Sequence, residues 1–125
     1  MNFLVIDGTQ DKIKFFLYFN NNSYHKSFEA SKNNNEQFSL LLFNFINENN
    51  VEASELNNIF VNQGPGKFSG IRTSIAVAKA LSFTNKLNLY GFNSKDLKDI
   101  NYNGIINLYE KKLITKNLIN PVYSS

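Results

Sequence analysis

The residues with most scope for chemistry sit in one stretch, Asn62-Gln63-Gly64-Pro65-Gly66-Lys67-Phe68-Ser69-Gly70-Ile71-Arg72. A glycine-rich turn between a buried strand and a helix leaves backbone N–H groups free at a positive helix end, where an anion can sit. The spacing departs from the two common phosphate loops. A P-loop needs Gly, four residues, then Gly-Lys-Ser/Thr, and a dinucleotide loop needs G-x-G-x-x-G. The other reading is conformational: Gly64 and Gly66 take turn geometries closed to other residues, and Pro65 stiffens the loop. Spacing alone leaves both open. Asp7, closing the first apolar run, stands where a metal-binding carboxylate stands in phosphotransferases, yet Asp7-Gly8 is equally an ordinary hairpin turn. Thr9, Asp11 and Ser69 have no evident base beside them, and His25 lies next to Lys26 on a polar segment. No two carboxylates are placed as an acid/base pair. These residues therefore nominate no catalytic group and no metal site.

The composition narrows the classes further. The chain has 125 residues, enough for one domain that hides roughly two-thirds of its unfolded surface. Cysteine is absent and histidine occurs once, which excludes a disulfide scaffold, a thiolate zinc site, a cysteine nucleophile and a His-rich metal cage. Twelve Phe and six Tyr exclude disorder from want of hydrophobes. No apolar run is long enough to span a bilayer, and Met1 to Asp7 lacks a basic signal-peptide start, so a soluble cytoplasmic protein with no membrane partner is expected. The net charge of +3 rests on scattered lysines with Arg72 as the lone bidentate fork, so solvated faces explain it better than direct nucleic-acid binding.

The elements that must position these residues are legible from periodicity. Phe3 to Asp7 reads as a buried strand, Ile13 to Phe19 as a second, and Tyr24 to Phe28 as a polar edge strand beyond the Asn20-Asn21-Asn22 turn. From Glu36 to Asn49 the period becomes helical, with Phe38, Leu41, Leu42, Phe45 and Ile46 on one stripe that Leu40 and Phe43 widen. Ile59-Phe60-Val61 is a strand, Ile71 to Phe83 a second helix, and Leu87 to Phe92 a further strand. The order β-β-β-α-β-α-β implies a mixed α/β sheet covered by helices. Beyond Asn93 the pattern weakens. Ile105 to Tyr109 and Leu113 to Thr115 suggest a small hairpin, and Val122-Tyr123 an edge strand or a loose end.

The second helix is apolar or small almost all round, with Arg72 and Lys79 its only charges. One side packs on the sheet, so the other must meet something else. Phe38, Leu41, Leu42 and Phe45 on the first helix, with Ile71, Ser74, Ile75, Ala78 and Leu81 on the second, are the candidate interface. The alternative is that the residues after Asn93 fold over both helices.

The central stretch strongly resembles the signature of the bacterial tRNA threonylcarbamoyladenosine biosynthesis protein TsaB family. That family carries Gly-Pro-Gly-Ser-Phe-Thr-Gly-Leu-Arg followed by a small-residue helix, matched here by Gly64, Pro65, Gly66, Phe68, Gly70 and Arg72 and by Ala76-Val77-Ala78-Lys79-Ala80-Leu81. Leu4-Val5-Ile6-Asp7 resembles its opening strand, Gly91-Phe92-Asn93-Ser94 the segment after its next strand, and Pro121-Val122-Tyr123 its C-terminal Pro-Val-Tyr. Lys67 and Ser69 replace the family's Ser and Thr, and Asn34 its usual His. The resemblance implies an actin-like, ribonuclease H-like lobe over residues 1–97, with 98–125 a short remnant and the second lobe largely missing, so that no interlobe nucleotide site and no cofactor are expected. It implies a non-catalytic scaffold that pairs through the two helices with a catalytic TsaD-like paralogue, joined by a TsaE-like ATPase, and touches tRNA only through the complex that modifies adenosine 37. Two rivals remain: a small phosphotransferase using Asp7 and the glycine loop, and a module that homodimerises through the same helices.

Overall fold

The computed structural model describes residues 1–97, 102–110 and 119–122. Five strands form one mixed sheet in the order β3-β2-β1-β4-β5. Strands β1 (Phe3–Asp7), β2 (Lys12–Phe19) and β3 (Asn22–Glu29) make an antiparallel meander, while β4 (Asn58–Asn62) and β5 (Asn88–Phe92) run parallel to β1. Asn20 and Asn21 both take left-handed backbone angles, φ 49° and 68°, and join β2 to β3 by the two-residue turn whose twist matches paired strands. Asparagine tolerates that conformation better than most side chains, which gives the Asn triplet a conformational role.

Strand alternation divides the core in two. Leu4, Ile6, Phe15, Leu17, Ile59 and Val61 face helices α2 (Phe38–Glu48) and α3 (Phe68–Asn85). Phe3, Val5, Phe16, Phe60 and Phe92 face the other way, where Tyr102 and Ile105 cover them. Strand β1 is buried at every position because it is paired on both edges and covered on both faces.

The helix expected over 36–49 is present as α2, and a further short helix that the sequence did not announce precedes it. A short helix α1 (Lys32–Glu36) is capped by Ser31, whose Oγ accepts from the Asn34 amide at 3.1 Å. Gln37 then departs from helical angles before α2 begins. The second helix is longer than its apolar stripe suggested, because its first turn, from Phe68, carries no periodic signal.

The expected C-terminal hairpin is a correction. Ile105 opens a helix, α4 (Ile105–Glu110), in place of a strand. Ile105 is buried and Ile106 and Tyr109 half-buried against the sheet, a spacing of one and three that suits a helix face. The partner segment Leu113–Thr115 lies outside the described residues, as does Tyr123. Val122 is not an edge strand but pairs by backbone with the glycine loop, its N–H donating to the Gln63 carbonyl at 2.7 Å. No helix among the described residues is long and apolar enough to cross a membrane.

Candidate functional site

Two places gather the residues singled out above: the ends of the parallel strands, and the helices α2 and α3. At the strand ends, Asp7 closes β1 and Asn62 closes β4. Both are buried. Asp7 Oδ1 accepts from the Thr9 amide at 3.0 Å and the Thr9 hydroxyl at 2.6 Å. Its Oδ2 accepts from Asn62 Nδ2 at 3.1 Å and from the Tyr102 hydroxyl at 2.7 Å. A carboxylate offers about four lone-pair sites, and four donors of the chain itself fill them. Asn62 Oδ1 in turn accepts from the Gly64 amide at 2.9 Å, and Asn62 Nδ2 donates to Ser94 Oγ at 3.0 Å. Burial first, and the neighbouring Asp7 charge second, push the Tyr102 hydroxyl far above its usual range, so it remains a donor at any ordinary pH. A cavity of about 30 Å³ lies between Asp7, Gln10, Asn62, Ser94, Leu97 and Tyr102, room for about one water.

The glycine loop is shaped by the chain's own backbone. Gly64 has φ +116°, and a Cβ there would collide with the Val122 carbonyl. The Gly66 amide donates to that same carbonyl at 3.2 Å, and Gln63 Nε2 to the Asn120 carbonyl at 3.1 Å. Gly8 and Gly70 touch where the β1–β2 turn meets the first turn of α3, and a Cβ on Gly8 would lie 2.7 Å from the Gly70 carbonyl. Close approach therefore accounts for the glycines without a ligand. The groove beside this contact is lined by Asp11, Glu29, Lys67 and Ser69. Its lysine is already bound to Asp11, Nζ to Oδ1 2.8 Å. That hydrogen bond, reinforced by charge, lowers the Asp11 pKa and raises that of Lys67. Among the described residues no cluster of His, Cys, Asp or Glu could hold a metal ion.

The expected interface needs correcting at the level of side chains. Phe38, Leu42, Phe45, Ile71, Ser74, Ile75, Ala78 and Leu81 all point inward and are buried in the core against the sheet. Of the nine candidates only Leu41 keeps part of its surface. The reason is geometric: the strongest apolar stripe of each helix is the one the sheet takes. What remains outside is Leu40 and Phe43 on α2, 55% and 47% exposed, and Phe83 on α3, 86% exposed. Ala76 and Ala80 leave the same outer side of α3 low, and Arg72 and Lys79 are its exposed charges. Phe68 begins α3. Sequence reading had these outer residues in view as surplus to the stripe, and the surplus was the usable signal. Asn62 and Ser94 stood in motif segments with no role attached, and Tyr102 was missed, since nothing local ties it to an aspartate 95 positions away.

A family model described as "TsaD: tRNA N6-adenosine threonylcarbamoyltransferase" matches residues 18–98, well over half of the chain. The chain belongs to this family. Within it the likeness is to TsaB. The tRNA threonylcarbamoyladenosine biosynthesis protein TsaB of Buchnera aphidicola subsp. Schizaphis graminum is 28% identical over 91 residues, 73% of this chain and 43% of that protein. That of Buchnera aphidicola subsp. Baizongia pistaciae is 29% identical over 79 residues, 63% of this chain and 36% of that protein. The chain thus spans less than half the length of these curated relatives. Among solved structures, YeaZ from Pseudomonas aeruginosa superposes with a TM-score of 0.67 at 18% identity, over 74% of this chain and 42% of that one. RuvC of T. thermophilus superposes with a TM-score of 0.51 at 9% identity, over 76% and 66%. The fold is the ribonuclease H-like, actin-like lobe that the family resemblance implied.

Proposed function

We propose that this chain serves tRNA threonylcarbamoyladenosine biosynthesis as a non-catalytic subunit, docking a TsaD-like partner through the outer faces of α2 and α3. The observation that carries the reading is Phe83, an aromatic side chain 86% exposed on a helix whose inner stripe is already spent on the sheet. Leu40 and Phe43 add exposed apolar surface on the adjacent helix, and exposed apolar patches of this kind mark association surfaces. Ala76 and Ala80 let a second helix approach closely. A non-catalytic role fits the strand ends, where both oxygens of Asp7 are taken up by donors from Thr9, Asn62 and Tyr102. In this reading the chain needs no cofactor, a TsaE-like ATPase joins the pair, and tRNA is reached only through the assembled complex in the cytoplasm.

The test is coexpression with a TsaD-like protein followed by size-exclusion chromatography. Native chain co-elutes at micromolar concentration, and Phe83→Asp elutes alone with an unchanged circular-dichroism melt. Independent elution of the native chain overturns the proposal. Light scattering on the isolated chain reports whether the same face makes a homodimer when the partner is absent.

A further inference from the structure

Helix α3 starts without a cap of its own. Lys67, at the cap position, is extended and makes no side-chain capping hydrogen bond, and its Nζ is bound to Asp11. The first N–H groups of a helix have no partner within it, so what fixes its start comes from outside. The first backbone bond inside α3 runs from the Ile71 amide to the Lys67 carbonyl at 3.2 Å. Immediately before it, the chain passes through Gln63–Gly66.

That loop receives a second piece of chain, Ile119–Val122. Val122 gives both its backbone groups to the loop: its N–H donates to the Gln63 carbonyl at 2.7 Å, and its carbonyl accepts from the Gly66 amide at 3.2 Å. Gln63 Nε2 donates to the Asn120 carbonyl at 3.1 Å. At Gly64 the place of a Cβ is taken by the Val122 carbonyl, with Ile71 Cδ1 of α3 at 3.1 Å. Ile119 is buried in the helix-side core that also holds Ile71. The Val122 side chain, by contrast, is 46% exposed. The loop therefore holds Val122 by its main chain, the manner in which an extended peptide adds to a strand edge. This segment lies outside residues 18–98, the part that the family model matches.

We propose that the loop Gln63–Gly66 is an acceptor for an extended peptide strand, that Ile119–Val122 is its in-chain ligand, and that seating this ligand positions the first turns of α3 for docking. The docking clause rests on the function proposed above; the acceptor site stands on the contacts alone. With the segment seated, Gly66 lies between Val122 and Thr9, whose backbone would meet a Cβ on Gly66. The chain then enters α3 in one direction. Unseated, the Gly66 amide and the Gln63 carbonyl return to water, and the entry to α3 loses that side of its support.

The test is amide exchange read residue by residue by NMR on the full chain. Val122→Pro removes the N–H that pairs with Gln63, whereas Val122→Ala trims an exposed side chain and keeps that N–H. In Val122→Pro the Gly66 and Ile71 amides exchange about 3- to 10-fold faster, the factor for one neutral hydrogen bond, while β1 keeps its native rates. In Val122→Ala both amides stay native. Ile119→Ala, which trims the buried anchor and leaves Val122 intact, speeds the same two amides. Native rates at Gly66 and Ile71 in Val122→Pro, or a rise shared equally by β1, overturn the acceptor site. The docking clause is read with the double variant Ile119→Ala/Val122→Pro against a TsaD-like protein. Affinity falls about tenfold or more with Leu40, Phe43 and Phe83 untouched and a cooperative melt retained. Native affinity in that variant, with Gly66 and Ile71 already fast, overturns the clause. A native chain that fails to dock overturns the function proposed above, and the exchange rates then decide the acceptor site by themselves.

Discussion

The two faces of the sheet are covered by different means. On one face α2 and α3 lie over Leu4, Ile6, Phe15, Leu17, Ile59 and Val61, each helix contributing a continuous inner stripe. On the other face, among the described residues, an aromatic floor is covered by Leu97, Tyr102, Ile105 and the half-buried Ile106 and Tyr109. In that floor Phe3 stacks on Tyr18 at 5.4 Å and meets Phe60 edge-on at 5.4 Å, and Phe60 stacks on Tyr90 at 5.4 Å. Large rings bury much area with few residues, so each ring in this floor counts heavily in its packing. The helix side has the opposite economy. It has more apolar helical surface than the sheet takes up, and the remainder (Leu40, Phe43, Phe83) is left in solvent. One face carries apolar helical surface beyond what the sheet takes, and the other, among the described residues, is an aromatic floor met by a short helical segment.

Substitutions sharpen this contrast, and the largest effect belongs at Ala78. It has no exposed surface and sits in the helix-side core, so Ala78→Asp buries an unpaired charge. A cost of about 3–5 kcal/mol is expected, seen as loss of the cooperative melt and not as selective loss of a partner. A stable, folded Ala78→Asp would mean that the inner and outer stripes of α3 are exchanged. Next come matched truncations of the two covers, Leu42→Ala and Ile105→Ala, each removing a fully buried aliphatic side chain at about 2–5 kcal/mol. Leu42→Ala lowers the midpoint of every probe in urea. Ile105→Ala admits protease to the C-terminal segment at urea concentrations where β4 is still folded. Coincident transitions in both variants would erase the distinction between the faces.

Phe83→Asp is expected to change stability by no more than about 0.5 kcal/mol, since the ring touches little of its own chain. A melt lowered well beyond that would place Phe83 in the fold and out of the docking surface. The smallest effect is at the exposed pair Asp11–Lys67, which belongs to neither cover. The lysine holds the Asp11 pKa below its ordinary 3.8, so the pair stabilises the fold above that value. Its contribution fades as pH falls through the lowered folded-state value. The difference in melting temperature between the native chain and Asp11→Asn should be small at pH 6, shrink progressively as pH falls below 3.8, and be suppressed at pH 6 by 1 M salt.

Local pattern carried the strand meander, the order β-β-β-α-β-α-β and the existence of two principal helices, because periods of two and 3.6 are written in the residues themselves. It also carried the glycine loop as a structural motif and the surplus of apolar helical surface. It could not say which stripe the sheet would take. Leu42 and Phe43 are neighbours in sequence, yet one is fully buried and the other half exposed. Only the position of the sheet beneath the helix decides between them. The tail was misread for a related reason. Ile105, Ile106 and Tyr109 suit a strand by composition, and the aromatic floor they meet made them a helix.

The sequence by itself determined the class of fold, the sharp turns at Asn20–Asn21 and Gly64, and the absence of any thiol or histidine cluster, since these follow from side-chain type and backbone freedom acting over a few residues. Tertiary structure alone decided what Asp7 is for. Thr9 is close by in the chain, but Asn62 and Tyr102 reach Asp7 from β4 and from a segment beyond β5. A buried carboxylate must find its donors wherever folding brings them, and no spacing in the chain records that meeting.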